Sequence, residues 1–281
     1  MLRFTAFVSI AILLGACTKA EPTKSPDQAG LIEPTPPTTE PARMGETTRD
    51  PAAYRAIVEA PDRDAADKAL DAGRHPAELL AFFGIRPGWK VAEVGAAGGY
   101  TSELLARAVA PDGIVYGQNS PAVLQRFAEK PWSERLAKPV MKAVVRVDRD
   151  FDSPLPPEVK NLDAVLNIMF YHDTVWQGVD REAMNKAVYA ALKPGGIYGI
   201  VDHSAQPGAA LAHTETLHRI DEKTLRAEIE SAGFRLVGEG KFLKNPADTR
   251  DWSTSPRVVG EKRGTSDRFV LRFEKPDVTG K

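Results

Sequence analysis

The protein has 281 residues, of which 42% are hydrophobic and 27% charged, as is ordinary for a globular protein of one or two domains. Its 37 Lys and Arg residues nearly balance 38 Asp and Glu residues, which gives a formal net charge of -1. We therefore expect no long-range basic field that would attract nucleic acid or an anionic membrane surface.

Residues 1–16 have the pattern of a secretory signal peptide, with Arg3 near the start and an apolar run from Phe4 to Ala16. This run is too short to span a bilayer, which takes about 20 residues of helix. Its last residues and Cys17, Leu-Gly-Ala-Cys, resemble the bacterial lipobox, in which the signal is cleaved before a cysteine that is then acylated. The alternative is a secreted protein with an incidental thiol.

The lipobox resemblance implies a protein anchored to the membrane by lipid at Cys17, in the cell envelope and facing the periplasm. Thr18 is not the aspartate that commonly retains such proteins at the inner membrane, so we expect the outer membrane if the source is Gram-negative. Cys17 is the only cysteine of the chain. Acylation of Cys17 leaves no thiol for a disulfide, thiolate catalysis or a zinc-thiolate site.

Residues 17–50 are expected to form a tether. The segment after Cys17 holds six prolines and many Thr and Glu, and its sizeable apolar side chains are Leu31, Ile32 and Met44. Such a composition cannot form a core. Fully extended, the tether would reach roughly 100 Å.

Residues 51–281 are predicted to form one α/β domain, because strand-like and helix-like segments alternate without a further long linker. The predicted fold is a Rossmann-like, doubly wound sheet that is mostly parallel and ends in an antiparallel strand pair. Alternation of Phe269, Leu271 and Phe273 supports the last strand. The predicted strands are 91–94, 114–116, 143–147, 162–166, 197–201, 234–242 and 268–274.

The first of these strands runs into a glycine-rich turn, Gly95-Ala96-Ala97-Gly98-Gly99, which precedes a helix. Such a turn lets backbone approach a ligand closely, and the helix offers free N–H groups. The turn does not fit the dinucleotide motif G-x-G-x-x-G, because Ala97 stands at the second glycine. Taken alone, it is equally a tight connection between a strand and a helix.

The surrounding motifs resemble class I S-adenosylmethionine-dependent methyltransferases, in particular a bacterial group of predicted methyltransferases. The resemblance covers about residues 75 to 275 and rests on Glu93 before the glycines, a polar residue that ends the second strand, and Leu-Lys-Pro-Gly-Gly at 192–196. It implies S-adenosylmethionine as the cofactor.

The resemblance also implies which residues bind that cofactor. Glu93 would interact with its methionine or ribose end, and Asn119 with the ribose hydroxyls. Asn119 departs from the family, which usually has an acidic residue there, and its amide lacks the charge assistance of a carboxylate. Asp148 or Asp150 is placed for the adenine, although a solvated acidic turn is the alternative. The other implied contacts come from Gly95, Ala97, Gly98, Gly99 and Asn167.

The segment after the fourth predicted strand places Tyr171, His172 and Asp173 beside the expected methyl group. A neutral imidazole can take a proton from a hydroxyl or amine acceptor, and a carboxylate next to it fixes its tautomer. We therefore assign His172 as the candidate general base, with Asp173 and Tyr171 as its catalytic neighbours. The alternative is a loop histidine that only packs.

A polar substrate pocket is expected near His172, because Asp202 and His203 follow the fifth strand and the excursion that leaves the same sheet edge carries His213, His218 and Arg219. No H-x-x-x-H or H-E-x-x-H spacing accompanies these histidines, so no metal site is predicted. The loop from about residue 245 to 265 is long enough to cover the pocket as a lid, or is a surface hairpin tip.

The predicted function is therefore methyl transfer from S-adenosylmethionine to a small molecule or an envelope component, without a nucleic-acid partner. S-adenosylmethionine is made in the cytoplasm, which motivates a second hypothesis. In that hypothesis the chain is an envelope lipoprotein that uses the same fold as a binding or assembly module without catalysis. A metal-assisted hydrolase that uses the histidines is a third.

Overall fold

A seven-stranded sheet forms the centre of the fold in a computed structural model, which describes residues 49–277. These residues all fall within one compact unit, Met44–Lys281. The strands follow the order β3-β2-β1-β4-β5-β7-β6, in which only β7 runs antiparallel to its two neighbours. Their bounds are β1 Lys90–Val94, β2 Ile114–Asn119, β3 Val144–Asp148, β4 Leu162–Ile168, β5 Leu192–His203, β6 Arg235–Gly240 and β7 Arg268–Glu274.

Helices connect the parallel strands, and several begin or end where the sequence supplies a cap. Pro76 opens the third helix and Gly84 ends it in a left-handed conformation, φ 68°. Asp180 and Asp221 accept backbone N–H bonds at the starts of the eighth and ninth helices. The bounds are α1 Arg55–Val58, α2 Ala65–Arg74, α3 Pro76–Phe83, α4 Tyr100–Val109, α5 Pro121–Val123, α6 Glu129–Leu136, α7 Tyr171–Trp176, α8 Arg181–Ala191 and α9 Glu222–Ser231, with a π-helical turn at Leu124–Ala128 and 3-10 turns at Pro51–Tyr54, Pro139–Ala143 and Gly260–Lys262.

Helices cover both faces of the sheet, as the neighbours Tyr198 and Gly199 of β5 demonstrate. Successive strand residues point to opposite faces. A Cβ on Gly199 would lie 2.7 Å from the ring of Phe83 in α3. Tyr198 instead packs against Phe234, which also contacts Tyr189 of α8. The doubly wound, mostly parallel fold with a terminal antiparallel pair is therefore confirmed.

The observed ends differ from the predicted ones in every strand except β7, and β5 differs most. β5 starts at Leu192, before the Lys-Pro-Gly-Gly turn, and runs through Asp202 to His203 because β7 pairs with it along its last seven residues. β3 is shifted to end at Asp148, and β6 ends at Gly240. The longer β5 brings two of the predicted pocket residues into the sheet itself.

The predicted signal peptide, Cys17 and most of the tether lie outside residues 49–277. Among the helices that the structure describes, none is long and apolar enough to cross a membrane.

Candidate functional site

The site predicted from sequence lies at the carboxyl ends of β1, β4 and β5, which are neighbours in the sheet. β1 is flanked by β2 on one side and β4 on the other, so strand order reverses there. Ligands of open α/β sheets bind in the crevice at such a point. The turn after β1 and the segment after β4 therefore form the two walls of the candidate site.

The turn after β1 is built from left-handed residues. Gly95, Ala97 and Gly99 have φ of 77°, 49° and 81°. Gly95 is needed for a second reason, because a Cβ there would lie 2.5 Å from Cγ of Phe170, the residue that precedes α7. No side chain caps α4, whose N-cap is Gly99, so the start of this helix is left for a ligand or water.

Two amides at the end of β2 hold this turn. The Asn119 side chain accepts from the Ala97 N–H at 2.7 Å and donates to the Ala97 carbonyl at 3.1 Å. Gln118 accepts from the Gly95 N–H at 3.1 Å. A carboxylate at position 119 would accept the first bond but has no hydrogen to donate in the second. The amide of Asn119 is therefore suited to both bonds, and the role of Asn119 toward ribose stays a prediction.

Glu93 lies beneath the turn and is only 3% exposed. Burial raises the pKa of its carboxyl to about 7, although hydrogen bonds from Ser102 and Thr101 and the charge of Arg74 oppose that rise. Glu93 is thus a buried group beside the start of α4, with the Ser102 hydroxyl donating to it.

Two arginines that sequence reasoning missed line a narrow cleft beside the turn. Arg74 lies 4.2 Å from the ring centroid of Tyr100, and Arg268 donates to the backbone carbonyls of Gly264 and Ser266. The cleft has a volume of about 10 Å³ and is also lined by Met169.

Within residues 49–277, neither of these arginines forms an ion pair with a carboxylate. Burial, followed by the charge of Arg74, lowers the pKa of Arg268 to about 10. The cleft therefore presents two positive charges, neither of which has a carboxylate oxygen of the described residues within 4.0 Å. No motif marks either arginine, because they come from α2 and β7.

A cluster of polar side chains lies at the ends of β4 and β5. Asp202 is fully buried and accepts from the backbone N–H of His172 at 2.8 Å and from its Nδ1 at 2.6 Å. On the other side of the ring, Nε2 of His172 lies 3.1 Å from Oδ1 of Asp173 and 3.3 Å from Nδ1 of His218. The predicted convergence of these residues is therefore present in the structure.

Charge and burial set the protonation of the cluster. Burial alone would lower the pKa of His172, but Asp202 and Asp173 outweigh it and raise the pKa to about 10. Burial would raise the pKa of Asp173, yet the hydrogen bonds from His172 and His218 hold it below its usual range. Burial lowers the pKa of His203, whose Nδ1 lies 2.8 Å from the Ser266 hydroxyl. In this geometry both ring nitrogens of His172 face a carboxylate oxygen, Nδ1 that of Asp202 and Nε2 that of Asp173. The role of His172 as a base stays a prediction.

Two residues at the cluster have a strained backbone: Met169, which follows β4, and His218. Met169 and His218 both have positive φ, 56° and 51°, which is uncommon for residues with a side chain. The Met169 N–H donates to the Val201 carbonyl, and the Thr254 hydroxyl donates to the His218 carbonyl. Such outliers persist where surrounding contacts impose them.

Some of the predicted site residues lie elsewhere. Tyr171 points away from the cluster, because its hydroxyl donates to Glu228 of α9 and accepts from Asn185 of α8, each at 2.8 Å. Asn167 is fully buried within β4. Asp148 is paired with Arg146. Their assigned roles stay predictions, but the expectation that Tyr171 shares one place with His172 is corrected by the structure.

The loop after β6 is anchored rather than a free hairpin tip. Arg219 forms an ion pair with Asp248 at 2.8 Å, and both side chains are fully buried. The Arg219 guanidinium also donates to the Trp252 carbonyl and lies 4.6 Å from that ring. Asp248 in turn accepts from the backbone N–H of Asp267. Arg219 is therefore a structural link between the excursion after β5 and this loop, a role that the sequence did not indicate.

No family model matches the chain, and no curated protein matches it in sequence. Solved structures do share its fold. One is an S-adenosylmethionine-dependent methyltransferase from Aquifex aeolicus, 16% identical, covering 81% of this chain and 99% of its own, with a TM-score of 0.54. Another is a putative sarcosine dimethylglycine methyltransferase from Galdieria sulphuraria, which is 16% identical. It covers 82% of this chain and 93% of its own, with a TM-score of 0.52.

The cyclase SpnF is similar to the same degree. It is 17% identical and covers 76% of this chain and 85% of its own, with a TM-score of 0.52. The fold is thus the Rossmann-like fold of class I methyltransferases, which also supports another reaction. At these identities the likeness concerns the fold, and function has to be argued from the site.

Proposed function

We propose that the chain binds S-adenosylmethionine at the carboxyl ends of β1 and β4 and transfers its methyl group to a small-molecule or cell-envelope acceptor. The observation that carries this proposal is the left-handed turn Gly95–Gly99, placed after Glu93 at the point where strand order reverses. The fold that the chain shares with methyltransferase structures supports it.

The methionine end of the cofactor would bind at the cleft beside this turn, which would have to widen from its volume of about 10 Å³ to admit it. Arg74 and Arg268 offer charged donors to its carboxylate, and the uncapped start of α4 adds N–H groups and a positive dipole end. The two arginines have no carboxylate partner among residues 49–277, and an anionic ligand would supply one.

The nucleoside end would meet Phe170 and Asn119. Phe170 rests on Gly95 and lies 4.8 Å, ring to ring, from Phe151. Both rings are buried, so a base would stack on Phe170 only after that side chain moves, and the Asn119 amide would exchange its bonds to Ala97 for bonds to the ribose. Binding of the nucleoside therefore involves movement of both side chains.

When bound, S-adenosylmethionine supplies a methyl group activated by its sulfonium. The residues of this chain bind and orient the two reactants, and positioning of this kind accounts for much of the rate of such a transfer. An acceptor would reach Asp173 and His218 first, because they are partly exposed, whereas His172 is enclosed behind them.

A second candidate function is a binding or assembly module without methyl transfer. The observation that favours it is the double hydrogen bond between Asn119 and Ala97, which engages the residue expected to hold ribose. The similarity to a cyclase indicates that the fold does not fix the reaction.

We also propose that the protein is a lipoprotein, with Cys17 acylated and the folded domain facing the periplasm, from the outer membrane if the source is Gram-negative. The Leu-Gly-Ala-Cys sequence at 14–17 and the proline-rich segment after it support this location.

Calorimetric titration of the full-length protein with S-adenosylhomocysteine and S-adenosylmethionine tests the proposal. We expect binding of one molecule per chain and a rise in melting temperature. Absence of both heat and stabilisation at millimolar ligand would contradict the proposal and favour the binding module.

A further inference from the structure

The cluster at the ends of β4 and β5 has the geometry of a metal centre. Three donor atoms converge there: Nε2 of His172, Oδ1 of Asp173 and Nδ1 of His218. Their separations are 3.1 Å from His172 to Asp173, 3.0 Å from His218 to Asp173 and 3.3 Å between the two nitrogens.

These separations match those of atoms bound to one ion. Two metal bonds of about 2.0–2.2 Å at angles between about 90° and 110° hold their donor atoms about 2.8–3.6 Å apart. Two imidazoles and one carboxylate are a donor set suited to zinc and similar divalent transition metals.

Asp202 supplies the second feature of such a centre. A histidine that binds a metal through one ring nitrogen usually donates the other N–H to a carboxylate, which fixes its tautomer and orientation. Asp202 accepts from Nδ1 of His172 at 2.6 Å and is fully buried, so Nε2 is directed at Asp173 and His218.

The fold also holds His218 in place against backbone strain. Its φ is 51°, and Thr254 fixes its carbonyl from the loop after β6. Trp176 donates its Nε1 hydrogen to Oδ1 of Asp173 at 2.9 Å, which orients that carboxylate. Asp202 of β5 thus positions His172, Trp176 of the same helix positions Asp173, and the loop after β6 positions His218.

We propose that His172, Asp173 and His218 bind one divalent transition metal ion, with Asp202 as the positioning residue of His172. Three protein ligands leave at least one coordination position, as in catalytic zinc sites. Asp173 and His218 are each about one fifth exposed, so that position opens toward solvent at the ligand-binding edge of the sheet. An oxygen, nitrogen or sulfur atom of a second molecule would bind there. This inference does not depend on methyl transfer.

The test uses full-length protein without a polyhistidine tag, stripped with EDTA and titrated with Zn²⁺ against a chromophoric chelator. We expect one Zn²⁺ per chain in the wild type. His218→Ala should weaken binding by about 100-fold or more, and Asp202→Asn by about 10- to 100-fold. His213→Ala is the matched control, because His213 lies on the same excursion outside the cluster, and it should bind as the wild type does.

Co²⁺ gives a second readout that reports coordination directly. His218→Cys replaces an imidazole by a thiolate, another zinc ligand, and should add a thiolate-to-cobalt absorption band that the wild type, which also contains Cys17, does not show. No stoichiometric Zn²⁺ in the wild type, an unchanged affinity in folded His218→Ala, or no new band in Co²⁺-loaded His218→Cys would overturn the proposal. If His218→Ala does not fold, the wild-type stoichiometry and the cobalt band decide.

Discussion

Asp202 holds His172 by two hydrogen bonds, one to the backbone N–H at 2.8 Å and one to the imidazole Nδ1 at 2.6 Å. The same carboxylate accepts from the backbone N–H of His203 at 2.7 Å. One buried side chain at the end of β5 therefore fixes the first turn of α7 as well as its own neighbour. The arrangement ties the ends of two adjacent strands together.

Asp202→Ala should lower the free energy of unfolding by about 3–5 kcal/mol, because it removes the buried carboxylate that pairs with Nδ1 of His172 and with the backbone N–H groups of His172 and His203. Urea denaturation in EDTA measures this loss. Asp180→Ala is the control, since Asp180 caps α8 on the surface and its loss should cost about 1 kcal/mol. Equal losses in the two variants would contradict the role given to Asp202.

Glu93 should make the stability of the protein fall as pH rises. Burial raises its pKa in the folded state to about 7, above the ordinary 4.5, so the folded state binds the proton more tightly than the unfolded state does. The destabilisation is absent below about pH 4.5 and complete above about pH 7, where it reaches about 3 kcal/mol.

Glu93→Gln should remove this dependence and be more stable than the wild type at pH 8, with little difference at pH 4.5. Denaturation across this range tests the difference between the two proteins. Glu182→Gln, on the exposed surface of α8, controls for the change in net charge. Parallel pH profiles for the wild type and Glu93→Gln would show that Glu93 is not the cause.

Arg74→Met should weaken binding of S-adenosylhomocysteine by about 10- to 100-fold, because it removes a charged donor worth about 1.5–3 kcal/mol while keeping the apolar stem. Calorimetry on the folded variant measures the dissociation constant. Arg86→Met is the matched control, since Arg86 is an exposed arginine that packs on Trp89. An unchanged constant in Arg74→Met would remove Arg74 from the ligand site.

Asp248→Ala should cost about 3–5 kcal/mol and loosen the loop after β6, because it leaves Arg219 charged and buried without its partner. Hydrogen exchange should quicken around Trp252 and Thr254. Lys186→Ala, which breaks an exposed pair with Glu182, should change stability by less than about 1 kcal/mol. Unaltered exchange in the loop would contradict the anchoring role of the buried pair.

Cys17→Ser should yield a protein that carries no lipid, because acylation requires the thiol. Metabolic labelling with a radioactive fatty acid, followed by membrane fractionation, measures this outcome. Several acyl chains anchor a protein far more firmly than one. Label in the Cys17→Ser protein would refute the assignment, and wild-type protein in the inner-membrane fraction would refute the outer-membrane location.

Periodicity predicted the architecture well, because buried parallel strands and amphipathic helices leave strong local patterns. The alternation of Phe269, Leu271 and Phe273 predicted β7, and the apolar run at 162–166 predicted β4. Strand ends were less accurate. β5 extends to His203 because β7 pairs with it, and that long-range pairing has no local signal.

The site was predicted in part, and the rest depends on contacts between distant segments. The convergence of His172, Asp173, Asp202 and His218 followed from the rule that strand ends share an edge. Their separations of about 3 Å could not follow from it, because residues 46 positions apart leave no spacing motif. Arg74 and Arg268 were missed for the same reason. Tyr171 was placed wrongly because residues adjacent in a helix point in different directions.

The left-handed backbone at Met169 and His218 lowers the stability of the fold at positions that support the site. Glycine adopts such a conformation without the penalty that a side chain imposes, so replacement by glycine at either position should relieve strain of about 1 kcal/mol. The same replacement at 218 would delete an imidazole that the cluster holds. A search for heat-resistant variants would therefore tend to select proteins that keep the fold and lose the site, and such a screen should exclude both positions.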